Sequence, residues 1–150
     1  MIILILLLLT GSSVGRVHEI THETFPTLFD FPYEQFTESS SPLFHEWFIM
    51  FYAPWCGHCK RAKPAFESFE YELRKNVTTH AQETGMTDAE DIEIELEKIV
   101  HVGIVNWYNI FKFSDEDKEL CNYFSIRGYP TFLYITRDRQ AINYRGPRTV

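Results

Sequence analysis

Cysteine is scarce in this chain: Cys56, Cys59 and Cys121 are the only three among 150 residues. An odd count this small excludes a full disulfide framework, so the fold must rest on its hydrophobic core. Long apolar runs are lacking too. Ile2–Leu9 is only eight residues, about 12 Å as a helix against a bilayer core of about 30 Å, and no other run approaches spanning length. Bases are missing from one stretch, where residues 83–97 hold seven acids and no Lys or Arg. The other 14 acids balance the 14 bases, so the net charge of −7 is local and a nucleic-acid surface is excluded. No second ligand pair matches the spacing of Cys56 and Cys59, which argues against zinc and predicts no metal site. The residue after Cys59 is Lys60 rather than His, which excludes haem attachment. His18, His22, His45, His80 and His101 are scattered, with solvated or packed roles expected for each.

With 45% hydrophobic and 16% aromatic residues, the chain can bury one good core. Residues 1–15 read as a signal peptide. The small residues Ser13 and Gly15 suit cleavage after Gly15, although the leader has no Lys or Arg before its apolar run. No membrane span is expected once it is removed. Residues 16–26 have no clear periodicity and read as an N-terminal arm. The globular domain is expected over 27–150, with an acidic insert at 77–98.

Within that domain Thr27–Phe31 is predicted as a first strand and Pro32–Phe36 as a short helix. Trp47–Tyr52 is a continuous apolar run, the mark of a central strand buried on both faces. Pro54 stops it. Ala62, Phe66, Phe69 and Leu73 lay one apolar stripe on a helix from Gly57 to about Lys75, kinked at Pro64. Asn76-Val77-Thr78 is a glycosylation sequon expected at the exposed end of that helix. Thr87-Asp88-Ala89-Glu90 resembles a capping box opening an acidic helix, while the alternation of Ile92, Ile94 and Leu96 with acids also fits a strand. Ile99–Val105 reads as a second buried strand, and Asp115–Phe124 as a helix capped by Ser114. Thr131–Ile135 and Ala141–Tyr144 read as paired strands. The fold class is α/β: a mixed sheet with helices on both faces.

The chemistry lies between the first buried strand and the first long helix, in Trp55-Cys56-Gly57-His58-Cys59. A disulfide between Cys56 and Cys59 closes too small a loop to restrain the unfolded chain, so redox use is favoured over a staple. At the helix N-terminus, free amides and the macrodipole favour a Cys56 thiolate. That effect is modest, so His58 is expected to add a positive charge or a hydrogen bond. Cys56, at the exposed first position, attacks; Cys59, one turn in, resolves the mixed disulfide. No cofactor beyond this pair is needed.

Phe51-Tyr52-Ala53-Pro54-Trp55-Cys56-Gly57-His58-Cys59-Lys60 resembles the active-site segment of protein disulfide isomerase catalytic domains, which have the thioredoxin fold. Apart from residues 77–98, the resemblance runs from about Thr27 to Val150. It implies a cis Tyr129-Pro130 bond in Gly128-Tyr129-Pro130-Thr131, facing the disulfide, and an Arg148 that tunes the resolving cysteine. It also makes Cys121 a buried thiol outside any disulfide. The sequence departs from the family at Met50 and Ile104, where a buried glutamate and its lysine partner are usual; slower proton transfer at Cys59 is the expected consequence. It departs again at its end, where the family's last helix is missing and no endoplasmic-reticulum retention signal follows. Either the chain is short or the acidic insert covers the sheet in the helix's place.

The resemblance implies a thiol–disulfide oxidoreductase or isomerase of the endoplasmic reticulum lumen. Its partners would be unfolded or misoxidised secretory proteins and a disulfide donor. A binding module, gripping unfolded chains around Trp55 and Tyr129 with little turnover, is the rival from another class. A thioredoxin-like reductase is a third, which the Gly57-His58 pair disfavours.

Overall fold

The computed structural model describes residues 17–29, 43, 45–98, 100–106 and 120–147. The leader, the helix expected at Pro32–Phe36, most of the one expected at Asp115–Phe124, and Arg148 lie outside these residues. Along the chain come β1 (His18–Glu19), α1 (Phe25–Phe29), β2 (Trp47–Tyr52), α2 (Gly57–Glu83), α3 (Ala89–Glu97), β3 (His101–Asn106), β4 (Thr131–Ile135) and β5 (Ala141–Asn143). The strands form one sheet in the order β1-β3-β2-β4-β5. β1 and β2 run parallel to β3, whereas β4 is antiparallel to both β2 and β5.

β2 is the axis of the domain because its successive side chains feed opposite cores. Trp47, Ile49 and Phe51 pack with Ile20, Phe25, Phe29, Leu120, Cys121, Leu133 and Ile135 on one face. Met50 packs with Cys59, Ala62, Phe66, Val102, Ile104 and Phe132 on the other, with Phe48 and Tyr52 at its margin. The helical stripe of α2 thus covers the second face.

Two expectations are corrected at the N-terminal side. Residues 25–29 are helical rather than a strand, and the first strand is His18–Glu19, within the supposed arm. Thr21 and Thr24 explain the helix: each backbone N–H donates to the other's side-chain oxygen, at 2.8 and 3.1 Å, as in a reciprocal cap. Phe25 and Phe29, one turn apart, then stack with ring centroids 4.2 Å apart, a helical spacing and not an alternating one.

α2 also runs past Lys75 to Glu83, so Asn76 is exposed within the helix rather than at its end. The helix ends in a Schellman arrangement. The Met86 amide donates to the Ala81 carbonyl at 2.9 Å and the Gly85 amide to the Gln82 carbonyl at 3.1 Å. Gly85 permits this through its φ of 87°. α3 is the acidic helix, capped by Asp88, whose side chain accepts from the Glu90 amide at 3.0 Å. It packs against α2.

β1 holds its place through one glycine. Gly103 is the register partner of His18, and the buried Ile20 side chain lies where a Cβ on Gly103 would stand. Gly103→Ala is therefore expected to lower the denaturant midpoint by the equivalent of about 1–3 kcal/mol, the usual cost of overpacking. Adding Ile20→Val, which removes the clashing methyl, should recover part of it; an unchanged Gly103→Ala midpoint would refute the packing account.

Candidate active site

The site forms where β2 gives way to α2. Tyr52 ends the strand, Ala53 is buried, and the Cys56 amide donates to the Ala53 carbonyl at 3.1 Å, turning the chain out of the sheet. Trp55, at the outside of the turn, is 62% exposed. Cys56 is the N-cap of α2, extended at φ −78° and ψ 117°. Its carbonyl accepts from the Lys60 amide at 3.0 Å, and its sulfur accepts from the Cys59 amide at 3.4 Å. Sulfur thus occupies the place where Ser, Thr or Asp oxygen ordinarily caps a helix.

The two sulfurs are in opposite environments. Cys56 is half-buried, and its thiol is more acidic than usual. The hydrogen bond from the Cys59 thiol is the main cause, followed by the Cys59 amide, with smaller help from the His58 amide and the Arg61 charge. Cys59 is 1% exposed, enclosed with Met50, Ala62, Phe66, Val102, Ile104 and Phe132. Burial pushes its thiol up to about 11. None of the three cysteines is in a disulfide, so this is the dithiol form.

The loop before β4 reaches the pair from across the sheet. β4 begins at Thr131, in register with Phe51 near the end of β2, which brings Gly128–Pro130 beside Cys56. The Cys56 thiol donates to the Tyr129 carbonyl at 3.6 Å. The Tyr129–Pro130 bond is cis, Pro130 is buried, and the Thr131 hydroxyl closes the turn by donating to the Gly128 carbonyl at 2.7 Å. The Tyr129 side chain touches both cores. Burial, and then the neighbouring Cys121 thiol, raise its hydroxyl well above the ordinary value. Cys121 is a buried thiol beside it, away from solvent.

Met50 and Ile104 are direct register partners at 0% and 9% exposure, and both belong to the cluster that encloses Cys59. The apolar pair is therefore complete in space as well as in sequence. His58 is exposed and meets Arg61 one turn on, with Arg61 Nη2 2.8 Å from His58 Nδ1. Arg61 is the site residue that sequence reading missed. Its spacing of three from His58 on a helix was the available signal. Among the described residues no group of three or more His, Cys, Asp or Glu is arranged to hold a metal ion, and no helix is long and apolar enough to cross a membrane.

With this geometry in view, comparison with known proteins is direct. Residues 23–102 match the thioredoxin family. The human protein disulfide-isomerase TMX3 is 31% identical over 103 residues, covering 69% of this chain and 16% of that protein. The thioredoxin domain-containing protein 5 homolog of Drosophila melanogaster is 25% identical over 136 residues, covering 91% of this chain and 23% of that protein. The J-Trx1 fragment of ERdj5 superposes with a TM-score of 0.55 at 18% identity, over 89% of this chain and 44% of that one. The chain belongs to the thioredoxin family, and its five-stranded mixed sheet is the thioredoxin fold. It spans less than a quarter of the length of these two curated relatives.

The opposite shifts make opposite contributions to the stability of the dithiol form. Cys59, raised above its ordinary 9.0, stabilises the fold fully below about pH 9, and that contribution disappears as pH rises to about 11. Cys56, being lowered, contributes above its ordinary value and loses that contribution as pH falls through its folded value. Denaturant midpoints under reducing conditions should therefore fall more steeply between pH 9 and 11 for the wild type than for Cys59→Ala. Parallel curves over that range would contradict the assignment.

Proposed function

We infer that the chain is a thiol–disulfide oxidoreductase or isomerase that forms or rearranges disulfides in secretory-pathway proteins through Cys56 and Cys59. One observation carries this reading: a relatively acidic, accessible sulfur caps a helix while a second, buried and protonated, stands one turn behind it. The Cys56 thiolate attacks one sulfur of a client disulfide and joins it, and the other client sulfur leaves as a thiolate that takes a proton. Cys59 then gives its proton to water and attacks Cys56. The Cys56–Cys59 disulfide forms, the second client thiol is released, and two electrons have passed to the client. Run backwards, the same steps oxidise a client dithiol, and a disulfide donor restores the pair. No cofactor enters.

Trp55, Gly57, His58, Tyr129 and Pro130 frame the reacting sulfurs in this reading, and Arg148 acts on Cys59. The leader directs the chain to the endoplasmic reticulum lumen. Asn76, exposed on α2, offers a glycosylation sequon there. The protein disulfide-isomerase name of the relatives supports the enzymatic reading over a binding module. The exposed Trp55 would serve client contact in either case.

The reduction potential of the pair separates the readings. A value near about −180 mV is expected for an isomerase, and one near about −270 mV would mark a thioredoxin-like reductase. Absence of turnover in refolding assays at any poise would leave only the binding module.

The apolar Met50–Ile104 pair predicts slow resolution, because nothing ionisable in that register pair can take the Cys59 proton. Met50→Glu alone should destabilise the fold by about 3–5 kcal/mol through an unpaired buried charge, and adding Ile104→Lys should restore much of it. Stopped-flow oxidation of a dithiol peptide should be about 100-fold faster in the double variant, the low end of assisted proton transfer. Equal rates would show that the proton leaves by another route.

A further inference from the structure

Charge is spread unevenly about the reactive turn. Residues 53–66, from the exit of β2 into the first turns of α2, hold Lys60, Arg61 and Lys63 and no acid. Residues 125–135, the loop before β4 and β4 itself, hold Arg127 and no acid. The seven acids of residues 83–97 lie at the other end of α2 and on α3. A helix of 27 residues is about 40 Å long, and the field of an exposed charge fades over about 8 Å at physiological salt. The acidic end therefore does not neutralise the basic one.

Lys63 is neutralised by Glu67, 2.6 Å away. Lys60, Arg61 and Arg127 are exposed, and among the described residues no carboxylate pairs with any of them. These three come from both walls of the turn. The Lys60 amide donates to the Cys56 carbonyl at 3.0 Å, and helical side chains lean toward the N-terminal end, here the cysteine end. The Arg61 guanidinium lies there, with Nη2 2.8 Å from His58 Nδ1 and Nη1 3.8 Å from where a Cβ on Gly57 would stand. Arg127 is two residues, at most about 7 Å of chain, from Tyr129, whose carbonyl is 3.6 Å from the Cys56 sulfur. A segment lying over Cys56 thus has cations within side-chain reach on both sides. We propose that the exchange site selects anionic clients, peptide disulfides whose cysteines are flanked by Asp or Glu, and that Lys60, Arg61 and Arg127 set the preference. The proposal rests on the exchange reading above and deepens it by naming the substrate class; no step changes, and the three cations neither give nor take a proton. They act on the encounter, concentrating a negatively charged disulfide beside Cys56. The exposed Trp55 offers apolar contact to a client of any charge, so discrimination by sign falls to the cations.

The test uses disulfide-linked peptides of one length, with each cysteine flanked by Asp, Asn or Lys, reduced by the full chain in its dithiol form. Each rate is divided by that of the same peptide with dithiothreitol, which removes the effect of the flanking charge on the disulfide itself. At about 0.01 M salt the normalised rate should be at least about 10-fold higher for the Asp peptide than for the Lys peptide, with Asn between. The three should converge at about 1 M salt, where screening acts within about 3 Å. Combining Lys60→Gln, Arg61→Gln and Arg127→Gln should bring the low-salt ratio close to one, and Arg127→Gln alone should lower it. The ratio, unlike the rate, does not move with a uniform change in Cys56 reactivity, so a merely structural role would leave it at the wild-type value. A wild-type ratio near one at low salt, an Asp preference that persists at high salt, or an unchanged ratio in either variant would overturn the proposal. The two readings fail separately: no exchange with any peptide defeats the exchange reading, whereas exchange with all three at equal normalised rates defeats only this one.

Discussion

The Cys59 amide donates to the Cys56 sulfur, and much of the chemistry depends on that contact. It makes a thiol the cap of a 27-residue helix. The helix can begin there only because β2 ends four residues earlier and the Cys56 amide returns to Ala53. The same contact helps lower the proton affinity of the Cys56 sulfur. Helix capping and thiol acidity thus share one donor.

The difference between the two cysteines comes from the sheet. The side chains of β2 feed two cores, and the core under α2 contains the Cys59 sulfur. The burial that stabilises that face also raises the Cys59 thiol and keeps its proton on. The loop before β4 supplies the other wall. Its Tyr129 carbonyl accepts a hydrogen bond from the Cys56 thiol, while its side chain reaches Cys121 and both cores. Cys121 is buried in the first core beside it. His58 faces outward and meets Arg61.

Much of this was legible in the residues. Trp47–Tyr52 and Thr131–Ile135 were read to their observed ends, because doubly buried strands are apolar throughout and Pro54 and Pro130 punctuate them. The reactive turn was legible because its chemistry needs particular residues at fixed spacing. β1 was not: two residues are too few to show alternation, and the pairing depends on a distant glycine. The reach of α2 was missed because Asn76, Val77, Thr78 and Thr79 are weak helix formers. The cap that ends the helix needs the φ of Gly85, a signal that went unused. Arg61 was missed because its effect depends on where one flexible side chain points.

The central claim is that Cys56 is the sulfur that engages a client and Cys59 the one that releases it. The most direct measurement is to incubate reduced Cys59→Ala protein with a disulfide-bonded peptide and locate the adduct by mass spectrometry. The account predicts a persistent one-to-one mixed disulfide on Cys56, which the wild type clears and Cys56→Ala never forms. An adduct on Cys121, or one that the wild type retains as long as Cys59→Ala does, would contradict it.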